Sequence, residues 1–434
     1  MAKKRNRLFT FFYITVLVIT ISLLSFIAVT VINTDDDKTE SSVLVVSKPI
    51  EPPFKETTAT VLSIGDIMVH SPQLTGAFVP ETGEYDFTPI FKETASYFKN
   101  ADLSIGNLEV TFGGNEGREY SGYPMFNTPD SLADAIKDSG LNLLLTSNNH
   151  CYDTGLAGLK RTAQVLKQKG IEFTGTRESE TDPTYIVKKI NNINIGIINY
   201  TYETSPSNPT EGRKYINGSV INSEANGLIN SFSYNNIEAF YSDIGTKLDA
   251  MKNEGAEYLV VYIHWGNEYQ TSPNVHQKSI AQRLCNMGVD MIIGSHPHVI
   301  QPIEWLVSED SLDTSVCLYS MGNAVSNQRQ EIMDSCPSGH TEDGMLFEFT
   351  LKKTKNGVFL NSLNLVPTWV NKYLVNGRNK YTIYPIVNTN DLVKYGLDTT
   401  ALAKAQWSYE RTKTIVAEGL TACQEAIGCE ITFK

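Results

Sequence analysis

The sequence predicts an α/β fold built on a partly parallel sheet. Three observations carry that expectation. Short apolar, β-branched runs alternate with stretches of helical periodicity through most of the chain. Six of those runs stop at or near a small residue followed by Asp, Asn, Glu or His. Four of the seven histidines fall in these ends. The carboxyl ends of strands in open α/β sheets form the ligand crevice, so residues scattered along the chain would meet there.

The elements follow in order. Lys3, Lys4, Arg5 and Arg7 precede Leu8–Ile32, 25 residues without a charge. That length spans a bilayer as one helix. Asp35, Asp36 and Asp37 follow it. By the positive-inside rule the N-terminus is cytoplasmic and the C-terminal domain is outside the cell. The expectation is a single-pass cell-membrane protein, with a basic tip and transmembrane anchor over residues 1–33. A cleaved secretion signal is the rival reading and leaves the compartment unchanged. No cysteine precedes Cys151, which excludes lipoprotein processing. Residues 34–57, with acids, Ser/Thr and three prolines, read as a flexible spacer.

Residues 58–343 read as the main domain. Runs at Thr58–Ile64, Ala101–Ile105, Leu141–Leu145, Tyr258–Ile263, Val289–Ile293 and Val316–Met321 read as strands. Helices are expected near Phe91–Lys99, from a cap at Asp130 to Asp138, and over Gly155–Lys169, Ile237–Asn253 and Asn274–Met287. Ile186–Ile190 and Ile193–Tyr200 flank Asn191-Asn192 as a hairpin. Residues 203–235 read as a long loop. Residues 344–434 read as a C-terminal extension, with strands at Gly344–Lys352 and Val358–Val366 and a helix over Thr399–Gly419. It carries no acid–histidine constellation.

The formal net charge is −12. That excludes a nucleic-acid binder, which needs a basic surface. An anionic polymer could bind only through a local basic pocket or metal cations. Six cysteines lie in an oxidising compartment. Cys423 and Cys429 are the candidate local pair, while Cys285 and Cys317 read as buried thiols.

The strand ends carry the chemistry. Met291–Val299 ends an apolar run in Gly294-Ser295 and then places His296 and His298 around Pro297. A proline biases the residue before it towards an extended backbone, so the two imidazoles should point to different partners. Carboxylate, amide oxygen and imidazole without thiolate suit one or two divalent ions such as Mn, Fe or Zn. Two ions can clamp a phosphoryl or carbonyl oxygen and activate a water. Asp66 is a candidate ligand, with Gly65 keeping its turn tight. Asn149 and His264 are further candidates, and His150 is a candidate general acid. Glu109 could bridge ions or bind a substrate amine. The rival readings are a turn or cap Asp, an Asn148-Asn149 turn and a satisfied core histidine. His276 and His340 read as surface residues, and His70 is undecided. Arg118 and Arg329, in loops after strand ends, could meet an anionic substrate.

Taken together, Gly65-Asp66-Ile67-Met68, Gly106-Asn107-Leu108-Glu109, Ser147-Asn148-Asn149-His150 with Asp153 and Gly155, His264-Trp265-Gly266-Asn267-Glu268-Tyr269, Gly294-Ser295-His296-Pro297-His298-Val299 and Tyr319-Ser320-Met321-Gly322-Asn323 resemble the signature blocks of the CapA (PgsA) family. The blocks cover about residues 59–327. That family is associated with bacterial capsule and poly-γ-glutamate synthesis and export. It is in turn similar to calcineurin-like metallophosphoesterases, which implies a four-layer α/β/β/α sandwich with a dimetal site.

The resemblance implies metal ligands at Asp66, Asn149, His264, His296 and His298, with His150 catalytic; Asn107 and Glu109 are further candidate ligands, and Glu109 is a second candidate catalytic residue. Arg118, Glu268 and Asn323 are candidate substrate contacts. Two departures matter. Met68 stands where phosphoesterases have a histidine, and Asn107 where they have a bridging Asp. The implied role is in synthesis, export or anchoring of an anionic envelope polymer, beside membrane subunits of a polymer synthase. A metal-dependent hydrolase of a phosphoester or γ-glutamyl amide, or an inactive scaffold, are the alternatives.

Overall fold

The computed structural model describes residues 54–387, 389–428 and 430–434. The expected anchor Leu8–Ile32 lies outside the described residues, as do most of the spacer and Cys429. Among the described residues no helix is long and apolar enough to cross a membrane.

Two sheets form the centre. The first is organised around β1 (Thr57–Ile67), which is buried from Val61 to its end. A continuous apolar run of this kind suits a strand covered on both faces. On one side follow β2 (Leu103–Leu108), β3 (Leu143–Leu145) and β4 (Glu172–Thr174), each parallel to the last. The second sheet begins with the hairpin β5 (Ile186–Ile190) and β6 (Ile193–Tyr202). It continues with β7 (Ser231–Phe232), β8 (Tyr258–His264), β9 (Met291–Ser295), β10 (Ile303–Val307) and β11 (Thr314–Leu318). Its order is β7-β6-β8-β9-β11-β10, with β5 beside β6.

The chain then returns to the first sheet. β12 (Asn323–Val325) pairs in parallel with the end of β1. β13 (Asp343–Thr354) runs antiparallel along the rest of β1. β14 (Gly357–Val375) and β15 (Arg378–Pro385) extend the sheet outward, and β16 (Glu430–Phe433) pairs with β14.

Alternation along β1 explains the layers. Ala59 and Val61 face the second sheet and join Ile105, Ile195, Ile197, Val260 and Ile293 in a core between the sheets. Leu62 and Ile64 face outward onto α1 (Ser131–Ser139) and α2 (Gly155–Lys169) through Ile136 and Leu166. On the far side, α3 (Ile237–Asn253) and α4 (Val275–Cys285) bury Phe240, Ile244, Leu248 and Leu284 against Ile198, Val261 and Ile263. The order is helices, sheet, sheet, helices.

Several expectations need correction. Residues 344–434 supply β14, β15, β16 and nearly all of β13, so the first sheet is incomplete without them. The last helix, α5 (Thr399–Ile427), buries Val416, Leu420 and Cys423 in the core between the sheets. Gly419 permits this, since a Cβ there would lie 1.7 Å from the Ile303 carbonyl oxygen. Residues 203–235 are not one loop. They hold a small hairpin (Tyr215–Ile216 with Ser219–Val220), a helix (Ser223–Leu228) and β7. The expected Phe91–Lys99 helix is two short ones, Thr88–Phe91 and Ala95–Asn100.

Asp130 precedes α1 but does not cap it, because its own backbone is already helical. Its carboxylate instead takes both arms of Arg161, at 2.7 and 2.8 Å. Both side chains are about one-third exposed, at 35% and 37%. Asp130→Ala should therefore cost no more than about 1 kcal/mol, read as a small fall in the urea midpoint. A loss of several kcal/mol would contradict a surface role.

Candidate metal centre

The carboxyl ends of parallel strands from both sheets meet at one end of the sandwich. Asp66 pairs in register with Asn107 on β2 and with Asn323 on β12. His264 ends β8 opposite Ser295 of β9. Gly65 lies inside β1, at an irregularity in its pairing with β2, rather than in a turn. Its lack of a side chain serves a close approach: a Cβ there would sit 1.9 Å from the Gly322 oxygen.

His296 departs from the extended form that Pro297 favours. Its φ is +95°, and that of His298 is +57°. Left-handed backbone at a non-glycine residue costs on the order of 1–3 kcal/mol and persists only where the surroundings impose it. Here the backbone N–H of His296 reaches Asp66 Oδ2 at 3.4 Å, and the two rings diverge to different partners.

His298 Nδ1 lies 3.1 Å from Asp66 Oδ2 and 3.1 Å from Asn323 Oδ1. His296 Nδ1 lies 3.1 Å from His264 Nε2, and its Nε2 is 2.8 Å from the Tyr202 hydroxyl. His264 Nδ1 is held by Ser295 Oγ at 2.8 Å, which turns Nε2 to Asn149 Oδ1 at 2.7 Å. Glu109 sits between the two groups. Its Oε1 is 3.6 Å from His264 Nε2 and 3.8 Å from His298 Nε2. Every one of these ligand candidates is at most 4% exposed.

Two features test whether a cation fits. Glu109 Oε1 is buried and accepts no hydrogen bond. His264 Nε2 faces an amide oxygen, an imidazole nitrogen and this carboxylate oxygen together; one proton can satisfy only one of them, whereas a cation would satisfy all. Glu109, His296 and His298, and likewise Asp66, Glu109 and His264, offer ligand atoms within 4.8 Å of one another.

The electrostatics agree. Burial, then the neighbouring His296 and His298, hold His264 well below the ordinary imidazole range. Burial, then His298 and His150, do the same to His296. Both stay neutral donors at pH 7. Burial, then Asp66, push the Glu109 carboxyl well above its usual range. Burial opposes charge on His298 too, but its hydrogen bond to Asp66 and the charge of Asp66 outweigh this and raise it.

His150 lies beside the cluster. Its Nδ1 is 2.8 Å from Asp153 Oδ2, which also accepts the Phe126 backbone N–H at 2.7 Å. The Phe126 ring stands edge-on to His150 at 4.7 Å and to His70 at 5.1 Å. Asn217 donates to Asp153 Oδ1 at 3.0 Å and to the Pro124 carbonyl at 3.1 Å. Tyr202 and Asn217 are site residues that sequence reasoning missed, and Asp153 and Ser295 stood inside the motif blocks without a role assigned to them. The Asn217 signal was present: Asn217-Gly218 between short β-branched and aromatic runs marks a tight hairpin.

Other candidates fall elsewhere. Met68 is buried in the helix-side core beside β1. Asn323 lies fully buried behind His298 and is not open to a substrate. Arg118 is exposed and donates to the Thr154 carbonyl. Arg329 is neither solvated nor open to a substrate; it is buried and paired with Glu342 at 2.7 Å. Glu268 is exposed at the rim, and its charge reaches Glu109 and His298. His276 is exposed and His340 half-buried. His70 accepts the Asn327 N–H, and burial lowers its pKa to about 4. Cys285 and Cys317 are buried thiols, as read.

Residues 60–328 match the family described as bacterial capsule synthesis protein PGA_cap. The capsule biosynthesis protein CapA of Bacillus anthracis is 26% identical over 313 residues, 71% of this chain and 66% of that protein. The PGA biosynthesis protein CapA of Bacillus subtilis (strain 168) is 28% identical over 316 residues, 71% and 72%. The alignment thus spans about two-thirds of each relative. A solved calcineurin-like phosphoesterase, YfkN of Bacillus subtilis, covers 82% of this chain and 98% of its own at 13% identity, with a TM-score of 0.37. The family match takes in well over half of the chain and contains all six motif blocks, so the chain belongs to the bacterial capsule synthesis protein PGA_cap family.

Proposed function

We propose that this chain acts in making an anionic capsule polymer such as poly-γ-glutamate, outside the cell, anchored by residues 8–32 beside the polymer synthase. We further propose that it does so as a metal-dependent hydrolase or transferase acting on a phosphoester or γ-glutamyl amide. The observation that carries the chemical part is the bare, buried Oε1 of Glu109 between two histidine nitrogens. A scaffold would gain nothing from that arrangement, which costs desolvation without a compensating bond.

Glu109, His264, His296 and Asn149 would hold the ion, with His298 and Asp66 alongside. A divalent Mn, Fe or Zn ion would supply Lewis acidity there. Asp153 accepts a hydrogen bond from the Nδ1–H of His150, which leaves Nε2 as the nitrogen that can give or take a proton at the reacting bond. Tyr202 stands edge-on against His296 and Phe126 against His150, at ring separations of 5.0 and 4.7 Å. Glu268 at the rim is suited to an ammonium group of the substrate rather than its carboxylates.

The test replaces the chromosomal gene with His150→Ala at an unchanged protein level. Surface-bound anionic polymer should fall, and turnover of the purified full-length chain should drop by about 10²- to 10⁴-fold. Undiminished polymer would leave the scaffold reading instead.

A further inference from the structure

We propose that the centre is built to hold a single divalent cation, because the side-chain amide of Asn107 occupies the place between Asp66 and Glu109 that a second ion would need. This deepens the metal reading above and rests on it.

The amide bridges the two carboxylates with its two hydrogens. Asn107 Nδ2 donates to Asp66 Oδ1 at 2.8 Å and to Glu109 Oε2 at 3.3 Å. The neighbouring network fixes which end of the amide faces them. Asn107 Oδ1 accepts from Asn148 Nδ2 at 3.2 Å, and the other hydrogen of that group goes to the Leu108 carbonyl at 2.8 Å. Asn148 Oδ1 in turn accepts the His150 backbone N–H at 3.1 Å. A flipped Asn107 would put its oxygen against two carboxylates and its NH₂ against another NH₂, so the donor end must face Asp66 and Glu109.

The consequence is an asymmetry between the two buried acids. Asp66 has both oxygens occupied by N–H donors, Asn107 on one and His298 on the other. Glu109 has one oxygen occupied and one bare. Both candidate ligand trios share Glu109. Of these two carboxylates, Glu109 alone offers a bare oxygen. On the Asp66 side Met68, just past the end of β1, is packed into the helix-side core and offers no ligand. An amide that donates two hydrogens to two carboxylates does part of the work of a cation without its charge.

The experiment uses the full-length chain in detergent, stripped by chelation, reloaded with Mn²⁺ and desalted. Manganese per chain and its electron paramagnetic resonance spectrum are read for wild type and Asn107→Asp. We expect one Mn²⁺ per chain in wild type, with the six-line spectrum of an isolated ion. Asn107→Asp replaces the donor by a third carboxylate and should hold two ions with a spin-coupled spectrum. Two coupled ions in wild type would overturn the inference while leaving the metal reading intact. No ion in wild type would overturn both. One ion in both proteins would show that Asn107 is not what excludes the second. Should Asn107→Asp not fold, the wild-type count and spectrum decide alone: one isolated ion supports the proposal, two coupled ions refute it.

Discussion

His264→Ala is expected to empty the centre, taking bound metal from about one ion per chain to below about a tenth. His264 Nε2 is the atom on which the other donors converge, at 2.7 Å from Asn149, 3.1 Å from His296 and 3.6 Å from Glu109. It projects from the rigid, wholly buried end of β8, so no neighbour can swing in to replace it. Loss of an outer partner that merely orients a ligand costs about 10- to 100-fold in affinity. Ser295→Ala, which frees His264 Nδ1, should show that smaller effect, and His264→Ala a larger one. Two readouts check this. Elemental analysis of the desalted protein gives occupancy. Thermal unfolding with added Mn²⁺ gives a second, since an ion at 100 times its Kd stabilises by about 2.7 kcal/mol. Wild type should melt higher with metal and His264→Ala should not respond. Wild-type occupancy in His264→Ala would remove His264 from the site.

The same centre sets the pH dependence. Burial and Asp66 push the Glu109 carboxyl above its usual range, so the empty site keeps a proton that the filled one must release. His264 and His296 are held low and do not compete for protons near neutrality. Affinity should therefore rise as pH climbs above the ordinary carboxylate range, with protons released on binding by Glu109 and by His298, which Asp66 holds above its usual range. Affinity that stays flat over that climb, measured by titration calorimetry in buffers of different ionisation heat, would contradict the Glu109 assignment.

The strand ends were legible because each combines a local signal with a chemical one. Tyr258–Ile263 reads as a buried strand from its own composition, and His264 after it is a metal-capable side chain where such sheets open. Partners beyond the local window were not legible. β13 runs along β1 although 290 residues separate Thr60 from its partner Thr350, and nothing in either segment names the other. Arg329 resembles any loop arginine until Glu342 and Val370 are seen to enclose it. In sequence Asp66 reads as a free carboxylate beside a glycine that keeps its turn tight. Its oxygens are in fact both bonded, and the glycine serves the backbone of another strand. Asn217 failed differently: its turn signal was readable, but its reach to Asp153 depends on where the hairpin docks.

Gly65→Ala should be among the most damaging single-methyl additions in the chain, costing more than about 4 kcal/mol or preventing folding. The added carbon would lie 1.9 Å from the Gly322 oxygen and 2.9 Å from its carbonyl carbon. Both are backbone atoms, so no rotamer can relieve the clash. β12 would have to retreat by roughly 1 Å or more to restore ordinary contact. That retreat breaks the bond from the Asp66 N–H to Gly322, 3.1 Å long, and shifts Asn323, which holds His298. Stability and metal retention should fall together. Gly106→Ala is the control, because its Cβ would meet the Ile67 and Ile64 side chains at 3.0 and 3.3 Å. Side chains can give way, and the cost there should stay within about 1–3 kcal/mol. Gly377→Ala, at φ +73° with nothing within 4 Å, should lose only about 1–2 kcal/mol from its backbone conformation. Urea unfolding of the three variants would rank them Gly65, Gly106, Gly377. A Gly65→Ala protein that unfolds at the wild-type midpoint and keeps its metal would mean β1 and β12 are not in the contact that brings Asp66 and Asn323 together.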